Sequence, residues 1–156
     1  RDGELDAVIL ALPLHEDNVI EAELYREPFY LAVSRHHPKA KKKTASLDDL
    51  DNEEVLLLED GHCLRDQALE VCASHNAVEN TNFRATSLET LRQMVAADAG
   101  ITLMPELAVG ARSSTVRYLP FRGTPPHRNI GLCWRQSSTR GALLEQLADV
   151  LSAAVS

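Results

Sequence analysis

The sequence predicts an α/β protein built around a parallel sheet, and two observations carry this prediction. Residues 5–12 form a nearly continuous apolar run that Pro13 closes, which is typical of a strand buried on both faces. From residue 55 onward, short apolar stretches alternate with stretches of helical periodicity in the order β-α-β-α-β. In sheets of this kind, ligands lie beyond the carboxyl ends of the strands, where the helices begin.

Local patterns justify each element in chain order. Residues 19–24 alternate apolar and polar side chains, and residues 29–34 are apolar again. We therefore expect two strands, one before and one after the Glu27-Pro28 break. The alternating region then predicts strands at 55–58, 81–85 and 101–104 and helices at 64–74 and 87–97. A strand at 129–135 and an amphipathic helix through 143–151 complete the chain.

The helix at 87–97 has the clearest boundaries. Thr86 and Glu89 have the spacing of a capping box, in which side chains and backbone N–H groups at the helix start satisfy one another. Gly100 follows the helix and ends it. The apolar face of the helix consists of Leu88, Leu91, Met94 and Val95.

Composition narrows the classes of function. The 156 residues carry 16 Lys and Arg against 23 Asp and Glu, a net charge of −7, which argues against direct contact with nucleic acid. No apolar run approaches the roughly 20 residues that span a bilayer, and the first residues lack the layout of a secretory signal, so we expect a cytoplasmic protein with no membrane partner. Three cysteines do not suit a disulfide scaffold, so any pairing between them is conditional.

Cys63 lies at a predicted strand-to-helix turn, in the string EDGHCLRDQ of residues 59–67. Unpaired N–H groups at a helix N-terminus favour a thiolate, and Arg65 adds positive charge nearby, whereas Asp60 and Asp66 act in the opposite direction. A thiolate can attack a peroxide and become a sulfenic acid. The turn therefore makes Cys63 a candidate reactive thiol.

Cys72 follows nine residues later in the same predicted helix. At about 1.5 Å and 100° per residue, nine positions place the two Cα atoms roughly 14 Å apart on opposite helix faces. A disulfide needs them within about 7 Å, so the thiols can bond only if the helix between them melts or rebuilds. The alternative is that both cysteines are small core residues.

Other conspicuous residues are expected to be structural. Cys133 lies beside Trp134 and is assigned to the core. His36 and His37 are adjacent, so their side chains point apart, and we expect a solvated loop rather than a metal pair. The lysine-rich residues 39–43 are assigned to the same loop. The sequence calls for no metal and no cofactor.

Several strings resemble a known family. LLLEDGHCLRDQALEVC (56–72) is similar to the redox segment of OxyR, the peroxide-sensing branch of the LysR-type transcriptional regulators. NFRATSLETLRQMVAADAGITLMPELAV (82–109) resembles LysR-type effector domains in general, as do GELDAVILAL (3–12) and the R-x-I-G-L strand (128–132). The resemblance covers essentially the whole chain.

The resemblance implies roles for individual residues. Cys63 would be the peroxide-reactive thiol and Cys72 the resolving thiol, joined in a reversible disulfide. Thr86 and Ser87 either cap their helix only or keep the ligand-facing role that such residues have at the cleft of LysR-type domains. The residues that match positions around the reactive thiol are His62, Arg65, Asp66 and Arg128.

The resemblance also implies a two-lobed, periplasmic-binding-protein-like regulatory domain with Rossmann-like lobes. Residues 1–26 and 132–156 would belong to an incomplete first lobe, and residues 27–131 to a second lobe that carries the redox cysteines. The family's DNA-binding helix-turn-helix would precede residue 1. A homodimer or homotetramer is implied, with DNA and RNA polymerase reached only through the intact protein and with reductants such as glutaredoxin reversing the switch.

Three functions are open at this point. The first is a regulatory domain that senses hydrogen peroxide, the second a LysR-type effector domain that binds a small organic ligand between its lobes, and the third a thiol peroxidase. A pure ligand sensor needs no second thiol nine residues after the first, and nothing in the chain resembles the motifs of known peroxidases. The sequence therefore favours a peroxide sensor that is not an enzyme, with the organic-ligand domain as the alternative.

Overall fold

The computed structural model describes residues 7–12, 16–59, 63–110 and 115–155. Part of the strand predicted at 5–12, Asp60 and His62 therefore lie outside the described residues. Short 3₁₀ helices occupy Pro38–Lys41, Leu47–Leu50 and Glu106–Ala108. The strands are β1 (Val8–Leu12), β2 (Val19–Ser34), β3 (Glu54–Leu58), β4 (Val78–Ala85), β5 (Thr102–Pro105), β6 (Val116–Pro120) and β7 (His127–Arg135), and the helices are α1 (Cys63–Ala73), α2 (Leu88–Ala96) and α3 (Gly141–Val155).

The chain divides into two units. The first comprises the described residues up to Glu27 and from His127 onward, and the second comprises Pro28–Pro126. The boundary predicted after residue 131 falls inside β7, which is one unbroken strand whose pairing with β1 starts at Asn129. All of β7 belongs to the first unit, so the observed boundary lies between Pro126 and His127 instead.

The first unit is a sheet covered by one helix. β7 lies between β1 and β2, and it pairs antiparallel with β1. Cys133 is 1% exposed within β7, as the sequence predicts for a core residue. The core between this sheet and α3 consists of Leu24, Leu132, Trp134, Leu144 and Ala148.

β2 is one strand of 16 residues, where the sequence predicts two. Proline fixes φ at a value that an extended strand tolerates and removes only its own N–H, so Pro28 does not interrupt the strand. The next residue, Phe29, donates its backbone N–H to the carbonyl of Pro126 at 2.8 Å. The chain thus passes from the first unit into the second without a turn.

The second unit contains the predicted β-α-β-α-β order, with mixed rather than purely parallel pairing. β3 pairs parallel with β4, and a parallel bridge joins Val55 to Ile101. β5 and β6 each pair antiparallel with the long strand β2. Residues 55–58 of β3 are buried, and α1 and α2 both pack against this strand.

α2 begins one residue later than the capping box predicts. Ser87 is the N-cap, and its hydroxyl accepts a hydrogen bond from the backbone N–H of Thr90 at 3.1 Å. The predicted box between Thr86 and Glu89 is wrong, because the Glu89 carboxylate is engaged by Arg92 and Gln93 on its own helix. Thr86 is exposed in the bend before the helix.

The segment predicted as a solvated, lysine-rich loop is partly built into the core. It contains the 3₁₀ helix Pro38–Lys41, in which Ala40 is buried. Lys39 Nζ lies 2.6 Å from the Asp49 carbonyl oxygen and 2.6 Å from Glu53 Oε2, so this lysine is anchored rather than solvated. Among the described residues, no helix is both long and apolar enough to cross a membrane.

Candidate functional site

α1 follows the buried strand β3 and starts at Cys63, one residue earlier than the sequence predicts. The side chain of Cys63 and the whole of His62 lie outside the part of the chain that the structure describes. The backbone nevertheless assigns Cys63 to the first turn of the helix, where unpaired N–H groups and the helix dipole favour a negatively charged sulfur.

Cys72 belongs to the same helix, which runs without interruption from Cys63 to Ala73. The thiol of Cys72 is free, and the residue is 5% exposed, in a core cluster with Val55, Leu57 and Ala68. Burial, and after it the nearby charge of Glu79, raise the pKa of the Cys72 thiol from an ordinary 9.0 to about 11. At neutral pH Cys72 is therefore a protonated, poorly nucleophilic thiol.

Arg65 is held by two neighbours of the helix. Its Nη1 lies 2.6 Å from Glu79 Oε2 and its Nη2 lies 2.8 Å from Glu79 Oε1, which is a bidentate ion pair. Nη1 also donates to the carbonyl oxygen of Leu58, the last residue of β3, at 3.0 Å. Arg65 is 8% exposed, and its charge is offset by a partner that the sequence did not indicate.

Glu79 is the site residue that sequence reasoning missed. It lies in β4, its side chain is 13% exposed, and it also accepts a hydrogen bond from Arg84 at 3.0 Å. The hydrogen bonds from Arg65, the strongest influence, lower the pKa of Glu79. No local motif marks this residue, because its pairing with Arg65 depends on how β4 docks beside β3 and α1.

The remaining predicted site residues are more dispersed. Asp66 is exposed in the first turn of α1, where a carboxylate suits the helix dipole. Arg128 belongs to the first unit, whereas both cysteines belong to the second. Its Nε lies 2.5 Å from Oε1 of Glu27, a carboxylate that is 1% exposed.

Thr86 and Ser87 precede α2, and the structure gives Ser87 a structural role. Besides accepting from the backbone of Thr90, the Ser87 hydroxyl donates to Thr90 Oγ1 at 3.1 Å. Capping therefore accounts for Ser87. A role for Thr86 at an effector cleft stays a prediction.

Among the described residues, one group of side chains has the composition of a metal site, and it includes neither cysteine of α1. Asp48, Asp51 and His75 each offer one ligand atom, and these atoms lie within 4.8 Å of one another. We assign no ion to them, since exposed carboxylates commonly cluster without one. His36 and His37 face different partners, because His36 Nε2 accepts from Arg35 and His37 Nδ1 accepts from the backbone of Lys39.

Comparison with known proteins places this geometry in a family. The model of the LysR substrate binding domain matches residues 1–156. The chain is 49% identical over 153 residues to the DNA-binding transcriptional dual regulator OxyR of Escherichia coli (strain K12), a match that covers 97% of this chain and 50% of that protein. The chain thus spans about half the length of the relatives it matches, which are transcription regulators rather than enzymes.

Solved structures give the same result. The chain is similar to a crystal structure of the reduced form of OxyR, with a TM-score of 0.84 and 47% identity over 97% of this chain and 71% of that chain. It is also similar to a crystal structure of the oxidized form, with a TM-score of 0.82 and 50% identity over 97% of this chain and 72% of that chain. By sequence and by fold, the chain belongs to the LysR substrate-binding domain family.

Proposed function

We propose that this chain is the regulatory part of a transcription regulator that responds to hydrogen peroxide, and that it is switched by a reversible disulfide between Cys63 and Cys72. One observation carries the proposal: a single helix has one cysteine in its first turn and a second, buried cysteine nine residues later. The similarity to OxyR in reduced and oxidized forms supports it.

The environments of the two thiols support a division of labour. The start of α1 favours the thiolate of Cys63, whereas the raised pKa of Cys72 keeps that thiol protonated at neutral pH. The thiolate of Cys63 attacks one oxygen of hydrogen peroxide and the O–O bond breaks, which leaves a sulfenic acid and, after protonation, one water. Cys72 then attacks that sulfur, the S–S bond forms, and the sulfenic oxygen leaves as a second water.

Helix geometry supports a conformational output. Nine residues of helix separate the Cα atoms by roughly 14 Å, about twice the reach of a disulfide. The bond between Cys63 and Cys72 therefore forms only when turns of α1 come apart, and the rearranged segment is the signal. We propose that His62, Asp66 and Arg128 help to set the state of Cys63 in this scheme.

The wider setting of the switch is part of the same proposal. The two units correspond to the two lobes of the regulatory domain, and the second carries the redox cysteines. We propose a cytoplasmic homo-oligomer that reaches DNA and RNA polymerase only through the intact protein. Thiol reductants such as glutaredoxin would reverse the switch, and the chain itself would not turn over as an enzyme.

Thiol counting tests the proposal. Free thiols are titrated before and after one equivalent of hydrogen peroxide, in the parent protein and in Cys63→Ser, Cys72→Ser and Cys133→Ser. The parent and Cys133→Ser should lose two thiols each, Cys63→Ser should lose none, and Cys72→Ser should stop at a sulfenic acid on Cys63. A first oxygen on Cys133, or no loss of thiols at all, would contradict the proposal and favour an effector domain for an organic ligand.

A further inference from the structure

Glu79 ties the helix that contains both cysteines to the neighbouring strand. Its carboxylate receives both terminal nitrogens of Arg65, which projects from α1, while the same arginine holds the end of β3 through the Leu58 carbonyl. We propose that Glu79 is a positioning residue for the disulfide switch: through Arg65 it holds the helix face that carries Cys72 and so controls when Cys72 can reach Cys63. This inference rests on the proposed function.

The geometry of α1 places Arg65 and Cys72 on one face. They are seven residues apart, which is close to two full turns, so their side chains emerge in nearly the same direction. Nine residues, or two and a half turns, separate Cys63 from Cys72, so the two positions lie on opposite sides of the helix. Cys72 can therefore approach Cys63 only if the face that it shares with Arg65 leaves its present neighbours, and that movement separates Arg65 from Glu79.

The charge of Glu79 acts on Cys72 in the same sense. A carboxylate near a buried thiol disfavours the thiolate, and the thiolate is the form that attacks the sulfenic acid on Cys63. While the helix stays docked, Cys72 is both out of reach and protonated. Once the helix undocks, Cys72 loses its proton to water more easily, attacks the sulfur, forms the S–S bond and releases the sulfenic oxygen as water.

An ion pair that merely stabilises the fold would predict something different. Breaking such a pair would lower the free energy of unfolding but would have no specific effect on the conversion of the sulfenic acid into the disulfide. The positioning role instead predicts that loss of the Glu79 charge speeds the conversion of sulfenic acid into disulfide. It also predicts that the pH at which Cys72 becomes reactive shifts downward.

The test compares Glu79→Gln with two other variants of the same chain. Glu79→Asp keeps the charge but shortens the reach to Arg65, and Glu70→Gln removes a charge from an exposed position of α1. One equivalent of hydrogen peroxide is added, the reaction is quenched with a thiol-alkylating reagent at successive times, and mass spectrometry follows sulfenic acid and disulfide separately. Circular dichroism checks that each variant is folded.

Glu79→Gln should convert sulfenic acid into disulfide about tenfold faster than the parent, which corresponds to about 1.4 kcal/mol. Glu79→Asp should be accelerated less, and Glu70→Gln should match the parent. If Glu79→Gln does not fold, the comparison of Glu79→Asp with the parent decides. Unchanged or slower conversion in the folded Glu79 variants would overturn the proposal.

A second readout separates this inference from the function on which it rests. In Cys63→Ser, where no disulfide can form, the rate of alkylation of Cys72 is measured against pH with and without Glu79→Gln. The added substitution should shift the profile to lower pH, and an unshifted profile would overturn the effect of Glu79 on Cys72. Failure of the parent protein to form any disulfide with peroxide would instead show that the proposed switch is wrong.

Discussion

Arg128 on β7 and Glu27 on β2 form an ion pair, with Nε 2.5 Å from Oε1, at the points where the chain enters and leaves the first unit. Glu27 is almost fully buried, and Arg128 is the more exposed partner. A carboxylate that is buried without a cation lowers the free energy of unfolding, so we expect this ion pair to stabilise the first unit whether or not Arg128 has a role in the switch.

We predict that Arg128→Ala lowers the free energy of unfolding by about 2–3 kcal/mol, since hydrogen bonds to buried charged groups contribute on this scale. Urea denaturation of the reduced protein measures it. Arg26→Ala is the matched control, because Arg26 is next to Glu27 but its contact with Glu23, at 3.7 Å, is exposed to solvent. The control should change stability by less than about 0.5 kcal/mol. Equal effects of the two substitutions would show that the Glu27 pair is not specifically stabilising.

Ser87 and Thr86 offer a second matched comparison. We predict that Ser87→Ala destabilises the protein by about 1 kcal/mol, because it removes the N-cap of α2, whereas Thr86→Ala changes stability by less than about 0.5 kcal/mol. Thermal or urea denaturation distinguishes them. A larger loss from Thr86→Ala would restore the capping box that the sequence suggested.

The raised pKa of Cys72 predicts a pH dependence of stability. Folding favours the protonated thiol, so the stabilisation is complete below pH 9 and is lost as the pH rises from 9 toward 11. We expect a loss of about 2 kcal/mol in this window beyond that of Cys72→Ser, which has no thiol to ionise. The free energy of unfolding of both proteins between pH 8 and about 11 gives the difference. Parallel curves would mean that the surroundings of Cys72 do not raise the pKa of its thiol.

Amide hydrogen exchange reports on the helix itself. We predict that residues 64–71 exchange slowly in the reduced protein and lose or change their protection after oxidation, because the turns between Cys63 and Cys72 must come apart. α2 provides an internal reference, and its amides should keep their protection. Unchanged exchange across 64–71 after disulfide formation would contradict the rearrangement.

Sequence patterns predict elements whose cause is local. Burial of β3, the helix with both cysteines and the core location of Cys133 follow from apolar runs and periodicity, and the structure has them. Patterns do less well where long-range contacts decide. The Glu27-Pro28 pair is predicted to break the strand, yet Glu27 is buried and paired with Arg128, which is 101 positions away.

The same limitation explains Lys39 and Glu79. A lysine in a basic run is expected in water, but the fold brings Glu53 and the Asp49 carbonyl to its ammonium group. Glu79 has no signature in its own strand, since its partner is 14 positions earlier on a helix. Tertiary contacts decide where charged residues of this kind lie and what they bind, so the periodicity of the sequence does not predict it.

The core cluster around Cys72 bears on how easily α1 can leave its neighbours. Cys72 shares that cluster with Val55, Leu57 and Ala68, so the residue that would leave in the proposed switch also contributes to the packing of α1 against the core. We expect substitutions that loosen this cluster to make undocking of α1 easier, even with both Cys63 and Cys72 present. We therefore expect the proposed switch to respond to less peroxide in variants with conservative replacements of aliphatic residues such as Val55 or Leu57.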